Sequence, residues 1–434
     1  MTSKDRALVM MGSMVITWNQ GFLNAAASRG VRVLLMEDPA VPFRDSPILQ
    51  PGPGVDDVAW ISPSDLPGAL EVIERWRHEY EVIGVMALRD AWVESSAIAA
   101  DVLNVASPGL RAARVCRNKH LQRIYLSDWA PSYSVFRSGD NTEAIWEKFP
   151  AVLKPLDRWG SSGVCRVNSH RDLQREAASF PRGEYLLVEQ LIHGREFSVE
   201  TLVQNGEILF SGATAKTTSE SGGKSFVELV HTVPGWEEGD REWERVQEVN
   251  STVLARLDFR DGIAHAEYRI GGDGIYLMEV NARCPGDGIV SLYGLATGEP
   301  LEKPLVDIAL AEPTSYHPIR RHARQVYVEH EPGVLRDVIV DASTNINVSW
   351  LFENGSVPAL QPGFGEPARL CEVTVINRRN SVLPEIRASF DRAVYFIVDA
   401  PDLAGVSDAA RLARDQVKVI TESDSKAWDS TSSS

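Results

Sequence analysis

Hydrophobic and polar positions along residues 1–112 alternate in blocks that predict strands and helices in turn. Continuous apolar runs, typical of buried parallel strands, occupy 7–16, 31–36 and 82–88. Helical periodicity lies between the last two of these runs, over 66–80, and again over 92–103. This order predicts an open, doubly wound α/β domain whose strand ends supply part of a substrate pocket. No glycine-rich dinucleotide fingerprint follows the first strand, so a dinucleotide site is not predicted.

A hairpin is predicted in the run GIAHAEYRIGGDGIYLMEVNARCPGDG, which covers 262–288. Two stretches with strand-like alternation, 263–270 and 275–281, flank a Gly-Gly-Asp-Gly turn. Glu279 and Asn281 are two residues apart, so both point to one face of the second strand. The hairpin therefore brings a carboxylate and an amide oxygen together.

Glu267 on the first strand adds a second carboxylate to this hairpin. Two ionised carboxylates that lie close together repel each other, and a bound hard cation relieves the repulsion. Taken alone, Glu279 and Asn281 are explained equally well as ordinary surface residues. With Glu267 upstream and Arg283 directly after the strand, the pattern favours a metal site.

Composition narrows the class of protein. The chain has 434 residues, which is too long for one core, and it is 44% hydrophobic and 24% charged, as soluble globular proteins are. A net charge of −16 argues against nucleic acid or an anionic membrane surface as a general partner. No apolar run is long enough to span a membrane, and the first residues lack a signal-peptide pattern. The 4 cysteines are scattered without zinc or disulfide spacing, which favours the reducing cytoplasm.

Two segments carry lysines that suit phosphate oxygens. Lys119 and Arg123 are four residues apart and share a helix face, for which a solvated surface is the simpler interpretation. Lys154 ends a short strand and is followed by the small-residue loop Gly160-Ser161-Ser162-Gly163. The backbone N–H groups of such a loop can cradle phosphate. A plain hairpin turn competes equally with this interpretation, since the loop is not a Walker A motif.

Further along, Glu189-Gln190-Leu191-Ile192 and Glu196 surround a connection between two strands. Such a hinge can offer backbone groups to an adenine ring and a carboxylate to ribose hydroxyls. An edge hairpin with surface glutamates is the alternative. Lys216 ends the next strand, and 217–225 is predicted to be a mobile loop.

Glu228 and His231 follow this loop, where they can meet an amino group or an attacking amine. As a metal ligand, His231 is disfavoured because no second His or Cys stands at ligand spacing. A histidine satisfied by its neighbours is the preferred interpretation. Asp90, with Arg89 and Glu94, follows the third strand of the first domain, and a capping or surface role competes with a substrate role there.

Taken in order, these positions resemble the ATP-grasp superfamily over roughly residues 7–310. The resemblance implies an ATP-grasp fold of mixed α/β and α+β class, with an N-terminal open parallel α/β domain and two subdomains that clamp ATP. The implied division is 1–112 for the first domain, 113–204 for the lid, 205–315 for the central subdomain, 316–420 for a small α+β appendage and 421–434 for a disordered polar tail.

The resemblance also assigns roles to the candidate residues. It implies phosphate contacts for Lys119, Lys154, Lys216 and the loop Gly160-Ser161-Ser162-Gly163, adenine contacts for Glu189, Gln190, Leu191 and Ile192, a ribose contact for Glu196, and Mg²⁺ (or Mn²⁺) ligands in Glu267, Glu279 and Asn281. Arg283 is implied to steady the transferred phosphate and the tetrahedral intermediate, and Lys216 is a further catalytic candidate. Glu228 is added as a catalytic candidate from its position beyond the 217–225 loop, and a surface charge is an equally good interpretation of it.

Within the superfamily, the runs VEQLIHGREFSVE, FVELVHTVP and MEVNARCPGDG resemble ligases of the L-amino acid α-ligase type. These ligases usually have Gly-Gly-Asp after the arginine, where this chain has Cys284-Pro285-Gly286-Asp287. The likeness implies an ADP-forming ligase that joins a small carboxylate to an amine through an acyl phosphate, and a homodimer at the level of the family. A carrier-thiol acceptor, phosphoryl transfer alone and a non-catalytic nucleotide-binding module are the alternatives.

Overall fold

A computed structural model describes residues 4–13, 19–41, 44, 49–158, 160–219, 226–237, 239–354 and 359–422. Strands and helices are numbered below in chain order. Within these ranges, no helix combines the length and the apolar character needed to cross a membrane. Residues 220–225 of the predicted mobile loop and 423–434 of the predicted tail lie outside the described residues.

The first domain is an open α/β layer, as its alternating pattern predicts. Its elements are β1 (Arg6–Met11), α1 (Asn19–Ser28), β2 (Arg32–Glu37), β3 (Asp57–Trp60), α2 (Leu66–Glu79), β4 (Glu81–Ala87) and α3 (Val93–Leu103). All neighbours are parallel, in the order β3-β2-β1-β4. Because the strand order reverses between β1 and β4, their carboxyl ends open a crevice. The first strand ends at Met11, earlier than its apolar run predicts, since Gly12 turns the chain at a φ of 78°.

The lid is a small antiparallel sheet that two short helices join to the first domain. Its elements are α4 (Leu110–Cys116), α5 (Lys119–Tyr125), β5 (Tyr133–Arg137), β6 (Ala151–Pro155), β7 (Cys165–Val167), α6 (His170–Ala177) and β8 (Tyr185–Gln190). The strand order is β5-β8-β6-β7. The side chain of Asn118 caps α5 by accepting the N–H of Leu121, which fixes Lys119 at the start of that helix.

A long mixed sheet forms the centre of the molecule. Its first strands and the helices beside it are β9 (Arg195–Gln204), β10 (Glu207–Thr218), β11 (Glu228–Val233), α7 (Arg241–Leu257), β12 (Gly262–Gly271), β13 (Gly274–Asn281), α8 (Ile289–Thr297) and α9 (Glu302–Ala309). The predicted hairpin is β12–β13, and β9 pairs with both β12 and β10. The expected lid boundary at residue 204 is therefore wrong, because β9 belongs to the central sheet.

The C-terminal residues, predicted as a small α+β appendage, extend this same sheet and add a second one. They form β14 (His322–Tyr327), β15 (Gly333–Val340), β16 (Val348–Trp350), α10 (Leu351–Asn354), β17 (Arg369–Val375), β18 (Val382–Leu383), β19 (Val394–Ala400), α11 (Leu403–Gln416) and β20 (Val417–Glu422). The sheet runs β13-β12-β9-β10-β11-β14-β19-β17-β16, and a second sheet runs β18-β15-β20. Thr421 and Glu422, expected in the tail, pair with β15.

The central sheet buries a core against α7 that fixes the hairpin. Phe197, Trp236 and Tyr268 pack together, with ring centroids of Phe197 and Trp236 4.4 Å apart. Asp240 caps α7 by accepting the N–H of Glu242, so the helix begins after Trp236, although its amphipathic pattern predicts a helix over 236–257. Trp236 instead packs beneath β9, opposite the face that carries the candidate ligands.

Candidate active site

The hairpin brings the candidate metal ligands together. Glu267 lies directly opposite Glu279 in the register of β12 and β13, and His265 lies opposite Asn281. Residues directly opposite each other in an antiparallel pair present their side chains on one face. Glu267, Glu279 and Asn281 therefore offer oxygen atoms on the same side of the sheet, which is the donor set that Mg²⁺ prefers.

Two lysines approach this acidic hairpin from different elements. The Nζ of Lys216 lies 2.6 Å from Glu267 Oε1 and 2.6 Å from Glu228 Oε1. The Nζ of Lys119 lies 3.3 Å from Glu279 Oε1 and donates to the carbonyl of Arg158 at 2.9 Å. Two of the three predicted phosphate-contacting lysines, Lys119 and Lys216, thus lie beside the predicted metal ligands.

The charges in this cluster stabilise one another. Burial alone would lower the pKa of Lys216, but the carboxylates of Glu228 and Glu267 outweigh it and raise that pKa above its ordinary value. Burial would likewise raise the pKa of Glu267, yet Lys216 and His265 lower it to about 2. Lys216 is therefore an ammonium and Glu267 a carboxylate at neutral pH.

A buried hydrogen-bond network lies behind Glu267, and the sequence pattern does not predict it. His265 Nδ1 is 2.8 Å from Glu200 Oε1, and its Nε2 is 3.1 Å from Glu267 Oε1. The other oxygen of Glu200 accepts from Thr214 Oγ1 at 2.6 Å and from the hydroxyl of Tyr293 at 2.9 Å. With both ring nitrogens engaged, His265 fixes the orientation of Glu267.

A buried ion triad lies in the lid. Glu189 Oε1 is 2.5 Å from Lys154 Nζ, and Glu189 Oε2 is 3.0 Å from the guanidinium of Arg123. Burial would raise the pKa of Glu189, but the two cations hold it below its ordinary value. For Lys154, burial is the larger effect and lowers the pKa despite Glu189. Two cations share one carboxylate, so this part of the lid carries an excess positive charge.

We expect Glu189→Gln to destabilise the fold strongly. The substitution leaves Arg123 and Lys154 buried without their carboxylate, a loss that typically costs about 3–5 kcal/mol. Urea unfolding of both proteins measures the free energy of unfolding directly. Glu184→Gln is the matched control, because Glu184, directly before β8, makes a more exposed pair with Arg158. Equal stability of the two variants would contradict a structural role for the triad.

The glycine-rich loop joins β6 and β7 and contacts the residues just before β11. Gly160, Ser161 and Gly163 have φ values of 63°, 56° and 75°, so three residues around Ser162 adopt the left-handed conformation. Ser161 Oγ donates to the carbonyl of Phe226 at 3.2 Å. The loop is thus a hairpin connection that also contacts the chain two residues before β11.

The hinge residues are mostly packed into the fold. The N–H of Gln190 donates to the carbonyl of Ser132 at 2.9 Å, and Leu191 and Ile192 are buried. The side chain of Arg269 donates to the carbonyl of Ile192 at 2.9 Å and to Glu196 Oε2 at 2.8 Å. Burial, which Arg269 only partly offsets, raises the pKa of Glu196.

Gly194 explains the shape of this hinge. Its φ is 147°, and a Cβ at this position would lie 1.8 Å from the carbonyl oxygen of Ile270. Only glycine therefore allows the connection before β9 to pass so close to the end of β12.

Arg283 connects the hairpin to the first domain. One of its nitrogens lies 2.8 Å from Asp90 Oδ2, and another donates to the carbonyl of Cys284 at 2.5 Å. Burial would raise the pKa of Asp90, but Arg283 lowers it below its ordinary value. Asp90 follows β4 at the crevice of the first sheet, so the substrate edge predicted there meets the predicted catalytic arginine.

A second acidic cluster consists of Glu228, His231, Asp287 and Arg392. No role is predicted from the sequence for Asp287 or Arg392. His231 Nε2 lies 2.8 Å from Glu228 Oε2 and 3.5 Å from Asp287 Oδ2. Arg392 contacts Asp287 with two nitrogens, at 2.7 and 3.1 Å. One ligand atom each of Glu228, His231 and Asp287 lies within 4.8 Å of the others, a spacing that a metal ion can also use. Lys216 and Arg392 already pair with these carboxylates. His231 was predicted to be satisfied by its neighbours, but only its Nε2 has a partner, since its Nδ1 is buried without a hydrogen bond to the described residues.

Comparison with known proteins assigns the fold. Residues 147–291 match the ATP-grasp domain family. The solved structure of L-amino acid ligase from Bacillus licheniformis superposes with a TM-score of 0.76 at 21% identity, covering 97% of this chain and 100% of that one. The biotin carboxylase domain of the Hydrogenobacter thermophilus 2-oxoglutarate carboxylase, solved with MgADP and bicarbonate, gives a TM-score of 0.64 at 15% identity over 95% of this chain and 90% of that one.

Among curated proteins, D-alanine–D-alanine ligase of Aquifex aeolicus is 29% identical over 177 residues, or 39% of this chain. The chain spans 58% of that ligase's length. Residues 147–291 thus match an ATP-grasp domain, the chain shares its overall fold with these solved structures, and the predicted fold class is confirmed. In overall structure it is similar to the L-amino acid ligase.

Proposed function

We propose that the protein is an ATP-dependent ligase that activates a small carboxylate and joins it to an amine, releasing ADP and phosphate. The observation that carries the proposal is that a basic group and an acidic group are joined. The Arg123–Lys154–Glu189 triad has excess positive charge, and Arg123 donates to the carbonyl of Met278, next to Glu279 of the acidic hairpin. Such a pair of groups suits a polyphosphate bound together with a divalent cation.

The donor set fits Mg²⁺, with Mn²⁺ as a substitute. Glu267, Glu279 and Asn281 would hold the ion through oxygen atoms, which are the ligands both cations accept. When bound, the ion neutralises phosphate charge. The MgADP in the related biotin carboxylase domain supports this assignment. Lys119 contacts Glu279 and the carbonyl of Arg158, two residues before the glycine-rich loop. It would contact the same phosphates.

The proposed chemistry requires charge neutralisation more than a nucleophilic side chain. A carboxylate is a poor acylating agent until a γ-phosphoryl group is transferred to it, which forms an acyl phosphate. The amine then attacks the acyl carbon, the C–N bond forms, the bond from the acyl carbon to the phosphate oxygen breaks, and the amine's proton leaves with the phosphate. Lys154, Lys216 and Arg283 bring positive charge to the anions that meet in this step. The loop Gly160–Gly163 would exclude water, which otherwise hydrolyses the intermediate.

The acidic cluster favours an amine over a thiol as acceptor. The side chains of Glu228 and Asp287 are partly exposed, and their carboxylate oxygens can accept hydrogen bonds from the ammonium group of an amino acid or another amine. A carrier thiol is a weak hydrogen-bond donor and gains less from these oxygens. The scattered cysteines and the proposed use of ATP agree with the predicted cytoplasmic location. The homodimer stays a prediction from the family resemblance.

Release of ADP and phosphate tests the proposal. Purified protein is incubated with ATP and Mg²⁺ and a panel of amino acids and amines, singly and in pairs. We expect both products to form with one carboxylate–amine pair, together with the amide by mass spectrometry. ADP formation with a thiol acceptor, or with one substrate alone, would favour a different acceptor or phosphoryl transfer. AMP as product would contradict the mechanism, and no turnover with any pair would favour a nucleotide-binding module.

A further inference from the structure

Arg392 reaches the site from the C-terminal part of the chain. It precedes β19, and its side chain is only 6% exposed. Its guanidinium contacts both carboxylate oxygens of Asp287 and also donates to the backbone carbonyl of Glu228 at 2.8 Å. The ring centroid of Tyr327 lies 3.8 Å from the guanidinium carbon. One side chain thus connects the loop after Arg283 with the first residue of β11.

Asp287 adopts a backbone conformation that needs support. Its φ is 56°, which lies in the left-handed region that a non-glycine residue rarely adopts. Three groups hold it there: Arg392, the hydroxyl of Tyr327 at 2.9 Å and His231 at 3.5 Å. Strained positions of this kind persist where surrounding contacts over-determine them, and they concentrate at functional sites.

The turn that carries Arg392 also touches the glycine-rich loop. The N–H of Ser389 donates to the carbonyl of Gly160 at 3.3 Å, and the ring of Phe390 packs on Gly160. The Nε of Arg392 donates to the carbonyl of Ser389 at 2.9 Å. The C-terminal part of the chain therefore contacts both the lid loop and the acidic cluster.

We propose that Arg392 is a positioning residue for the ligase reaction and that the substrate pocket is incomplete without the C-terminal part of the chain. Arg392 acts through Asp287 and Glu228, because it fixes the loop that carries one and the strand that carries the other. It thereby fixes the positions of the two carboxylates that contact the substrate's amino group. This inference rests on the proposed ligase activity.

Variants at Arg392 separate positioning from general stabilisation. Arg392→Lys keeps the charge but loses the fork that spans Asp287 and Glu228, and Arg392→Met removes both. We expect the KM for the amine-bearing substrate to rise about tenfold to a hundredfold, more in the Met variant, while the KM for ATP stays unchanged. Arg321→Lys is the matched control, because Arg321 is equally buried and pairs with Asp399 away from the site. Equal effects on both KM values, or the same effect in the control, would overturn the proposal.

A second measurement needs no activity. Hydrogen–deuterium exchange of the unliganded protein is followed in peptides that contain 284–288 and 228–233. We expect Arg392→Met to increase exchange in these peptides, while Arg321→Lys leaves it unchanged. Unchanged exchange in Arg392→Met would overturn the positioning role even if the protein proved to be no ligase. Absent turnover in the unmodified protein would instead count against the proposed function alone.

Discussion

Glu279→Gln is expected to abolish ADP formation while the protein remains folded. The substitution keeps the shape of the side chain but removes the charge that lies opposite Glu267 and beside Lys119. The bound cation then has one carboxylate ligand where it had two. We expect turnover to fall at least about a thousandfold. Because Glu279 is partly exposed and its pair with Lys119 is long, stability should change by less than about 1 kcal/mol.

The measurement combines coupled ADP detection with thermal unfolding. Glu248→Gln makes the same chemical change on an exposed position of α7 and should leave activity unchanged. A magnesium titration adds a specific readout, since loss of a ligand should raise the concentration required for ATP binding. Full ADP production by Glu279→Gln would remove Glu279 from the proposed metal site. Loss of activity together with loss of the folded state would point to a structural role.

The hairpin illustrates what local sequence can predict. The Gly-Gly-Asp-Gly turn predicts the two strands, and side-chain alternation predicts that Glu279 and Asn281 share one face. The turn register alone would place Glu267 opposite Met278, and a register shift between Glu267 and Tyr268, which the sequence pattern does not predict, brings it opposite Glu279. The strand–helix order of the first domain was predictable, because buried parallel strands leave continuous apolar runs.

The acidic cluster around Asp287 illustrates what local sequence cannot predict. Asp287 and Arg392 are 105 residues apart, and no periodicity relates them. They meet because β14 pairs with β11, which extends the central sheet into the C-terminal residues. The prediction of a small appendage did not include this pairing. Alternation of polar and apolar residues indicates a strand but not the strand with which it pairs.

Glu189 shows how a motif can identify a segment while leaving the role of a side chain open. Its position in the hinge motif is compatible with backbone contacts to adenine, but its side chain turns to Arg123 and Lys154. The antiparallel register places Lys154 opposite Leu187, so Glu189 is its diagonal neighbour on the same face. Charge balance within a buried site depends on such pairings, which sequence motifs do not contain.

Arg283→Lys should lower turnover by about a hundredfold to a thousandfold without weakening ATP binding. Lysine keeps the positive charge, but it cannot contact Asp90 and the carbonyl of Cys284 together as the guanidinium does. Charge that develops on the transferred phosphate would then meet a donor in the wrong place. Single-turnover ADP formation measures the chemical step, and nucleotide binding measured by calorimetry checks that ATP affinity is retained.

Asp90→Asn tests whether the first domain positions Arg283. The amide still accepts one hydrogen bond from Arg283 but loses the charge, so we expect a smaller loss of about tenfold. If Asp90 acts only through Arg283, the double variant should be no slower than Arg283→Lys alone, because the two residues then form one unit. Additive losses in the double variant would show that Asp90 contacts substrate independently. That result would make the crevice between β1 and β4 a substrate-binding surface in its own right.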